Sequence, residues 1–241
     1  MMDRTIKAIS LLLSYPTAEL QDGMHEIGGV IMSDRRLSAV LRGDLGSVID
    51  LLAKGDLYEV QEQYVMLFDR SRTLSLNLFE HVHGESRERG GAMVSLLETY
   101  RAAGFEPDTT ELPDHLPVLL EYLSTRPEAE VAETLQDAAH IFAAIAERLV
   151  RRESPYASLF PALIQLAHAE ADSAAVAELL SRPDDDPTDL TALDAVWEEA
   201  EITFGPDPNA GCPQVRDMLA QMDPKAPADA RRPHAADVKQ R

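Results

Sequence analysis

The sequence predicts an all-α fold: a single globular domain of about eight or nine helices over residues 1–223, followed by a short tail. Three observations lead there. Apolar residues recur at steps of three and four in one segment after another, the mark of a helix with one buried face. No segment sustains the period-two alternation of a half-buried strand. Aromatic residues make up only 5% of the chain while Leu and Ala dominate, a balance that favours helices over a sandwich or barrel. With 241 residues, 45% of them hydrophobic, the chain is long enough to bury a real core.

Each element can be justified in order. The opening MMDRTIKAISLLLSYP carries an apolar run of Ile9, Leu11, Leu12 and Leu13, too short to span a membrane and without a small-residue cleavage site. Leu57, Val60, Tyr64, Leu67 and Phe68 form one amphipathic stripe. Met93, Leu96, Leu97 and Tyr100 form another, closed by Gly104. Val131, Leu135, Ala138, Phe142, Ile145 and Leu149 make a third, with Pro127 near its start. Ser154-Pro155 reads as an N-cap and first-turn proline for a helix running to about Leu180. Leu190, Leu193, Trp197, Ala200 and Phe204 follow the entry signal Asp186-Pro187-Thr188. Loops are expected at 69–84, at 105–117, where Pro107, Pro113 and Pro117 forbid a continuous helix, and at 182–187, RPDDDP. The Pro/Ala-rich tail 224–241 has nothing to bury and is expected to be disordered.

Charge and cysteine usage narrow the function. A net charge of −20 argues against a nucleic-acid partner, because phosphate binding needs clustered Lys and Arg. Between Glu170 and Asp207 there are twelve acidic residues and one basic, Arg182, whereas the tail holds five basic residues (Lys225, Arg231, Arg232, Lys239, Arg241) against two acidic. An acidic helical body of this kind suits a cationic amphipathic helix. One cysteine, Cys212, excludes an internal disulfide framework and points to a reducing cytoplasm. No identifiable base accompanies it as a nucleophile. The glycine pairs 28–29 and 90–91 are isolated within helical pattern and make no phosphate-cradling loop.

The stretch LFEHVHGESRERG, residues 78–90, poses the sharpest choice. Glu80 and His83 stand at the Glu-x-x-His spacing of di-iron proteins, with His81 beside them. A carboxylate-bridged site needs two such units and two further glutamates, and this unit is single. Asp22–His25 and Asp137–His140 share the spacing with a shorter acid, and Gln165–His168 has none. A metal-binding helical protein is therefore the alternative reading, with no metal expected. The favoured reading is a contact surface, since Asp69, Glu80, Glu85 and Glu88 alternate with Arg70, Arg72, Arg87 and Arg89 around Leu74, Leu76, Leu78 and Phe79.

YVMLFDRSRTLSLNLFEHVHGESRERG (64–90), with ELPDHLPVLLEYLS (111–124), resembles the NarJ-type nitrate reductase molybdenum cofactor assembly chaperones. These belong to the redox-enzyme maturation chaperones that include TorD and DmsD. The likeness runs from LLLSYP (11–16) to about Leu219. The wider family carries Glu-Pro-x-Asp-His in the second motif, whereas here the proline comes one place later, in Glu111-Leu112-Pro113-Asp114-His115, as in the nitrate reductase branch.

The resemblance implies a cytoplasmic all-α protein without catalytic turnover and without a stably bound cofactor. It would bind the N-terminal peptide of the catalytic (alpha) subunit of respiratory nitrate reductase until molybdenum cofactor is inserted, with cofactor-biosynthesis proteins as further partners. Helix-in-groove recognition then places the peptide's apolar face on Tyr64, Leu67, Phe68 and Phe79, and its basic residues on Asp69, Glu80, Glu111, Asp114 and Glu121. Tyr64, Leu67 and Phe68 would serve equally well as ordinary core. His81, His83 and His115 are expected as contacts that titrate near an ordinary pKa of about 6.5. Pro113 and Pro117 bracket Asp114-His115, so a stiff turn is expected to present both side chains to the peptide.

Overall fold

Asp3 starts the first helix by accepting hydrogen bonds from the N–H groups of Thr5 (3.0 Å) and Ile6 (3.2 Å), which satisfies two of the donors a helix start leaves open. Helix α1 (Arg4–Leu12) buries Ile6, Ile9 and Leu12 completely. The computed structural model describes residues 2–84 and 86–184, all in helices, turns and loops apart from one isolated β-bridge. The expected helix after Thr188, Cys212, the 223/224 boundary and the tail lie outside the described residues.

The other helices are α2 (Ala18–Ser33), α3 (Ala39–Lys54), α4 (Leu57–Tyr64), α5 (Leu78–His83), α6 (Arg87–Ala102), α7 (Leu116–Ser124), α8 (Glu128–Asp137), α9 (Ala139–Arg151), α10 (Leu159–Leu166) and α11 (Ser173–Ser181). Thr17, Ser38, Asp56 and Asp172 cap α2, α3, α4 and α11 with their side chains. The fold is all-α, but it is cut more finely than eight or nine helices. Two of the expected long helices are broken. The stripe from Val131 to Leu149 crosses a turn at Ala138, yet Val131, Leu135, Ala138, Phe142, Ile145 and Leu149 are all buried. Periodicity counts the residues that face the core, so it passes over a break whose two sides keep the same phase. The segment after Ser154 is a 3-10 turn (Pro155–Ser158), then α10, then a break over 167–172 that opens with His168 at positive φ, then α11. Ser154 gives no side-chain cap there.

Packing positions the site. Helices α1 and α7 lie antiparallel. The N–H of Asp3 donates to the carbonyl of Ser124 (2.6 Å) and the hydroxyl of Ser10 to the carbonyl of Pro117 (2.8 Å), while Lys7 and Glu121 pair midway. Helix α2 packs on α3, and α9 packs on α10 and α11. Helix α4 runs into a π turn (Val65–Asp69), in which the N–H of Arg70 reaches back five residues to Val65 (3.0 Å). Such wide turns recur at functional sites. This one leaves Phe68 in the core and Asp69 at the surface.

Residues 69–84 are largely ordered structure instead of the expected loop. The π turn, a 3-10 turn (Arg72–Leu74) and α5 follow one another. Leu74, Leu76 and Leu78 are buried core residues, so the apolar centre read as a contact surface is interior. The two family-like motifs are stitched together. Asn77 and His115 form the β-bridge, in which the N–H of Leu116 donates to the carbonyl of Leu76 (2.8 Å) and that of Leu78 to the carbonyl of Asp114 (3.1 Å).

Candidate functional site: an acidic cleft beside an apolar groove

A cleft of about 400 Å³ opens between α1, the end of α4, the 105–115 loop and α7. Its walls bring together Tyr64, Asp69, Glu111, His115 and Glu121, five of the residues singled out from the sequence, with Asp108 as a further acid. Among the described residues, Lys7 is the one lysine or arginine in its lining, and its ammonium is engaged by Glu121. Lys7, Leu11, Ser14 and Tyr15 also line an adjoining groove of about 590 Å³ between α1 and α2, where Ala8, Leu20, Ile27 and Val30 make an apolar wall. Acidic cleft and apolar groove thus meet along one face of α1.

An aromatic series runs inward from the junction. The ring of Tyr15, 47% exposed, stands edge-on to Tyr64 at 5.6 Å, Tyr64 meets Phe68 at 5.0 Å, and Phe68 meets Tyr156 at 5.2 Å. The hydroxyl of Tyr64 donates to the carbonyl of Leu13 (2.8 Å). Burial, with Asp69 nearby, raises the Tyr64 pKa, so the phenol stays neutral and serves as a fixed wall. Tyr64 and Phe68 are almost wholly buried, and Leu67 packs half-buried against the core. Core packing accounts for most of what these three do.

Electrostatics favour a cation in the cleft. Partial burial of its carboxyl raises the Asp69 pKa above its ordinary value, and the neighbouring Glu111 adds to that rise. A cation placed between the two acids would relieve both effects. Burial also lowers the His115 pKa below its ordinary value, even with Glu111 and Asp114 nearby. His115 is therefore neutral at pH 7 and adds no positive charge to the cleft.

The remaining candidates sit elsewhere. Asp114 is fully buried; one oxygen, Oδ2, accepts from the N–H of Phe79 (3.0 Å) and the other, Oδ1, has no partner. The turn presents His115 to the cleft but Asp114 to the interior, which corrects the expectation that both side chains face a peptide. Phe79 lies with Asp114 on the far side of α7. Glu80 and His81 line a third recess, of about 280 Å³, with Arg72, Arg148 and Arg182. His81 is buried, its Nε2 is hydrogen-bonded to the carbonyl of Ser75 (2.8 Å), and burial lowers its pKa. His83 stands edge-on to Phe79 at 5.8 Å. Glu80 faces Arg89 at 3.7 Å. Glu80, His81 and His83 thus have separate partners, and no group of three or more metal-ligating residues gathers among the described residues. Also among the described residues, no helix is long and apolar enough to cross a membrane.

Tyr15, Leu11, Lys7 and Asp108 are site residues that the sequence did not single out. LLLSYP drew attention only as an apolar run and as the edge of a resemblance. Nothing in its local pattern says that Tyr15 stays half exposed.

Residues 34–162 match the family described as Nitrate reductase delta subunit. The chain is 45% identical over 203 residues to the nitrate reductase molybdenum cofactor assembly chaperone NarJ of Escherichia coli K12, covering 84% of this chain and 86% of that one. It is 40% identical over 207 residues to the probable nitrate reductase molybdenum cofactor assembly chaperone NarW of the same organism, covering 86% of each. Among solved structures, a putative redox enzyme maturation protein from Archaeoglobus fulgidus superposes with a TM-score of 0.50 at 22% identity. The match covers 70% of this chain and 94% of that chain, and at that identity it speaks for the fold alone.

Proposed function

The chain belongs to the nitrate reductase delta subunit family, and from that premise we propose that it is a nitrate reductase assembly chaperone whose acidic cleft receives the N-terminal peptide of the catalytic subunit. It acts in the cytoplasm, has no catalytic turnover, and holds the apoenzyme ready for molybdenum cofactor insertion without keeping a cofactor itself. Proteins of cofactor biosynthesis are its further partners in that step. One observation carries the reading: the acids Asp69, Asp108, Glu111 and Glu121 line a cleft that opens, through Leu11 and Tyr15, onto an apolar groove. A short helix with one apolar face and a basic end matches both halves.

The two halves contribute differently. Charges on an exposed rim are worth at most about 1 kcal/mol each and act mainly on orientation and association rate. Half-exposed aromatic anchors at the centre of an interface are worth about 2 kcal/mol or more. Tyr15→Ala is therefore expected to weaken binding about 30-fold, with little change in stability because the ring is half exposed. Glu111→Ala should weaken it no more than about fivefold. Calorimetric titration of a synthetic peptide of the client's N-terminal residues tests the reading, with E111K/E121K as the decisive variant. Wild-type affinity in that double variant would overturn the assignment of the cleft.

The pH dependence has a definite sign. Acidification protonates Asp69, whose pKa is raised, and charges His115, whose pKa is lowered. Both changes make the cleft less negative. Affinity for a basic peptide is expected to be flat between pH 8 and 7 and to fall below about pH 6.5, the ordinary histidine value. Titrations at pH 8, 7 and 5.5 check this, and affinity that rises on acidification contradicts it.

A further inference from the structure

The second motif faces two ways, and its other side leads to a different groove. Asp114 ends a turn closed by the N–H of His115 on the carbonyl of Leu112 (3.0 Å), and His115 follows it in extended backbone at the start of α7. His115 lines the acidic cleft. Asp114 instead lines a groove of about 410 Å³ formed by α5, α6, α7, α8 and α9. Helix α7 separates the two. At about 100° per residue, Val118 and Glu121, which line the cleft, share one side, and Leu119, which lines the second groove, lies on the other.

The chemistry of this second groove is one-sided. Leu78, Leu119 and Ile141 form a buried apolar floor, and Val82, 57% exposed, stands on its wall. Among the described residues, its charged lining groups are all acids: Asp114 below, with Glu133 and Asp137 exposed at the rim. The buried carboxyl of Asp114 keeps one oxygen without a partner, and a buried acceptor left unpaired is costly. An arginine or lysine arriving with an apolar segment would meet the exposed carboxyl groups of Glu133 and Asp137 at the rim.

We infer that this groove is a second docking site, for a cationic amphipathic helical segment, whose apolar face covers the Leu78–Leu119–Ile141 floor and whose cation is directed at Glu133 and Asp137. The inference goes beyond the peptide reading of the first cleft and does not require it. It makes the protein a two-handed binder in which α7 is the partition and the Asp114-His115 pair serves one side each.

The test counts bound peptides. The probe is a synthetic 18-residue amphipathic helix of leucine and lysine, titrated calorimetrically at physiological ionic strength into wild-type protein, E133K/D137K and E111K/E121K. The reversed residues are exposed, so the fold should be kept. The expected stoichiometries are two, one and one. Val82→Lys is expected to weaken one of the two sites at least tenfold and leave the other unchanged. One peptide on wild type, still bound by E133K/D137K and V82K, would overturn the second dock. Loss of one site in E133K/D137K with none lost in E111K/E121K would uphold it while removing the first-cleft assignment. Equal binding of a probe with every lysine replaced by glutamate would refute the cationic occupant.

Discussion

Arg148→Ala is expected to cost the fold about 3–5 kcal/mol, the scale of a buried charge network that loses one partner. Arg148 is almost completely buried in α9. Its Nη2 donates to the carbonyls of Leu179 (2.7 Å) and Arg182 (3.1 Å), and its Nε meets the Asp184 carboxylate at 2.6 Å. Leu179 lies in α11, and Arg182 follows its last turn. One guanidinium thus satisfies carbonyls that the end of α11 leaves open. Hydrogen bonds to a charged donor are worth about 1.5–3 kcal/mol each, and truncation also leaves a cavity. Urea unfolding should show the loss, and hydrogen exchange should show α11 opening first. Arg148→Met, which fills the space without the donors, should recover only the packing share. A midpoint unchanged in Arg148→Ala would mean that α11 is held by other contacts.

Asp114→Ala should lower stability by about 2 kcal/mol, a thermal midpoint drop of about 4–8 °C for a domain of this size. Helix α5 is six residues long, and Asn77 at its start provides no side-chain cap. The cap comes from thirty-five positions away, where the Asp114 carboxyl accepts from the N–H of Phe79. Removing it strips the helix start of its acceptor and loosens the stitch between the two motifs. Asp114→Asn retains an acceptor oxygen and should recover much of the loss. Peptide affinity at the first cleft, measured per folded molecule, should hardly change, because Asp114 faces away from it. A peptide defect in Asp114→Ala without any thermal change would reverse this assignment and return the residue to the binding surface.

Helix class, chain order and most of the core were legible from spacing alone. Val60, Tyr64 and Phe68 are buried, as are Val131 through Leu149, at the positions their periodicity marks. The acids that would attract a cation were legible too, since Asp69, Glu111 and Glu121 do share one cleft. What the sequence left open was direction. A run such as LFEHVHGESRERG reads as one surface, yet Phe79 serves one groove, Glu80 and His81 line another recess, and His83 packs on Phe79. Adjacent residues in a short helix point about 100° apart, so a single motif can furnish several sites, and only its neighbours decide which. Likewise Asp114 and His115 are chemically similar polar partners on paper. Their roles separate because α1 and the 105–115 loop stand on one side of the turn while α5, α8 and α9 stand on the other. Tyr15 remained unseen for the converse reason. Local pattern reports how apolar a residue is, but only long-range packing of α1 against α2 and α7 leaves its ring half uncovered where the two grooves meet.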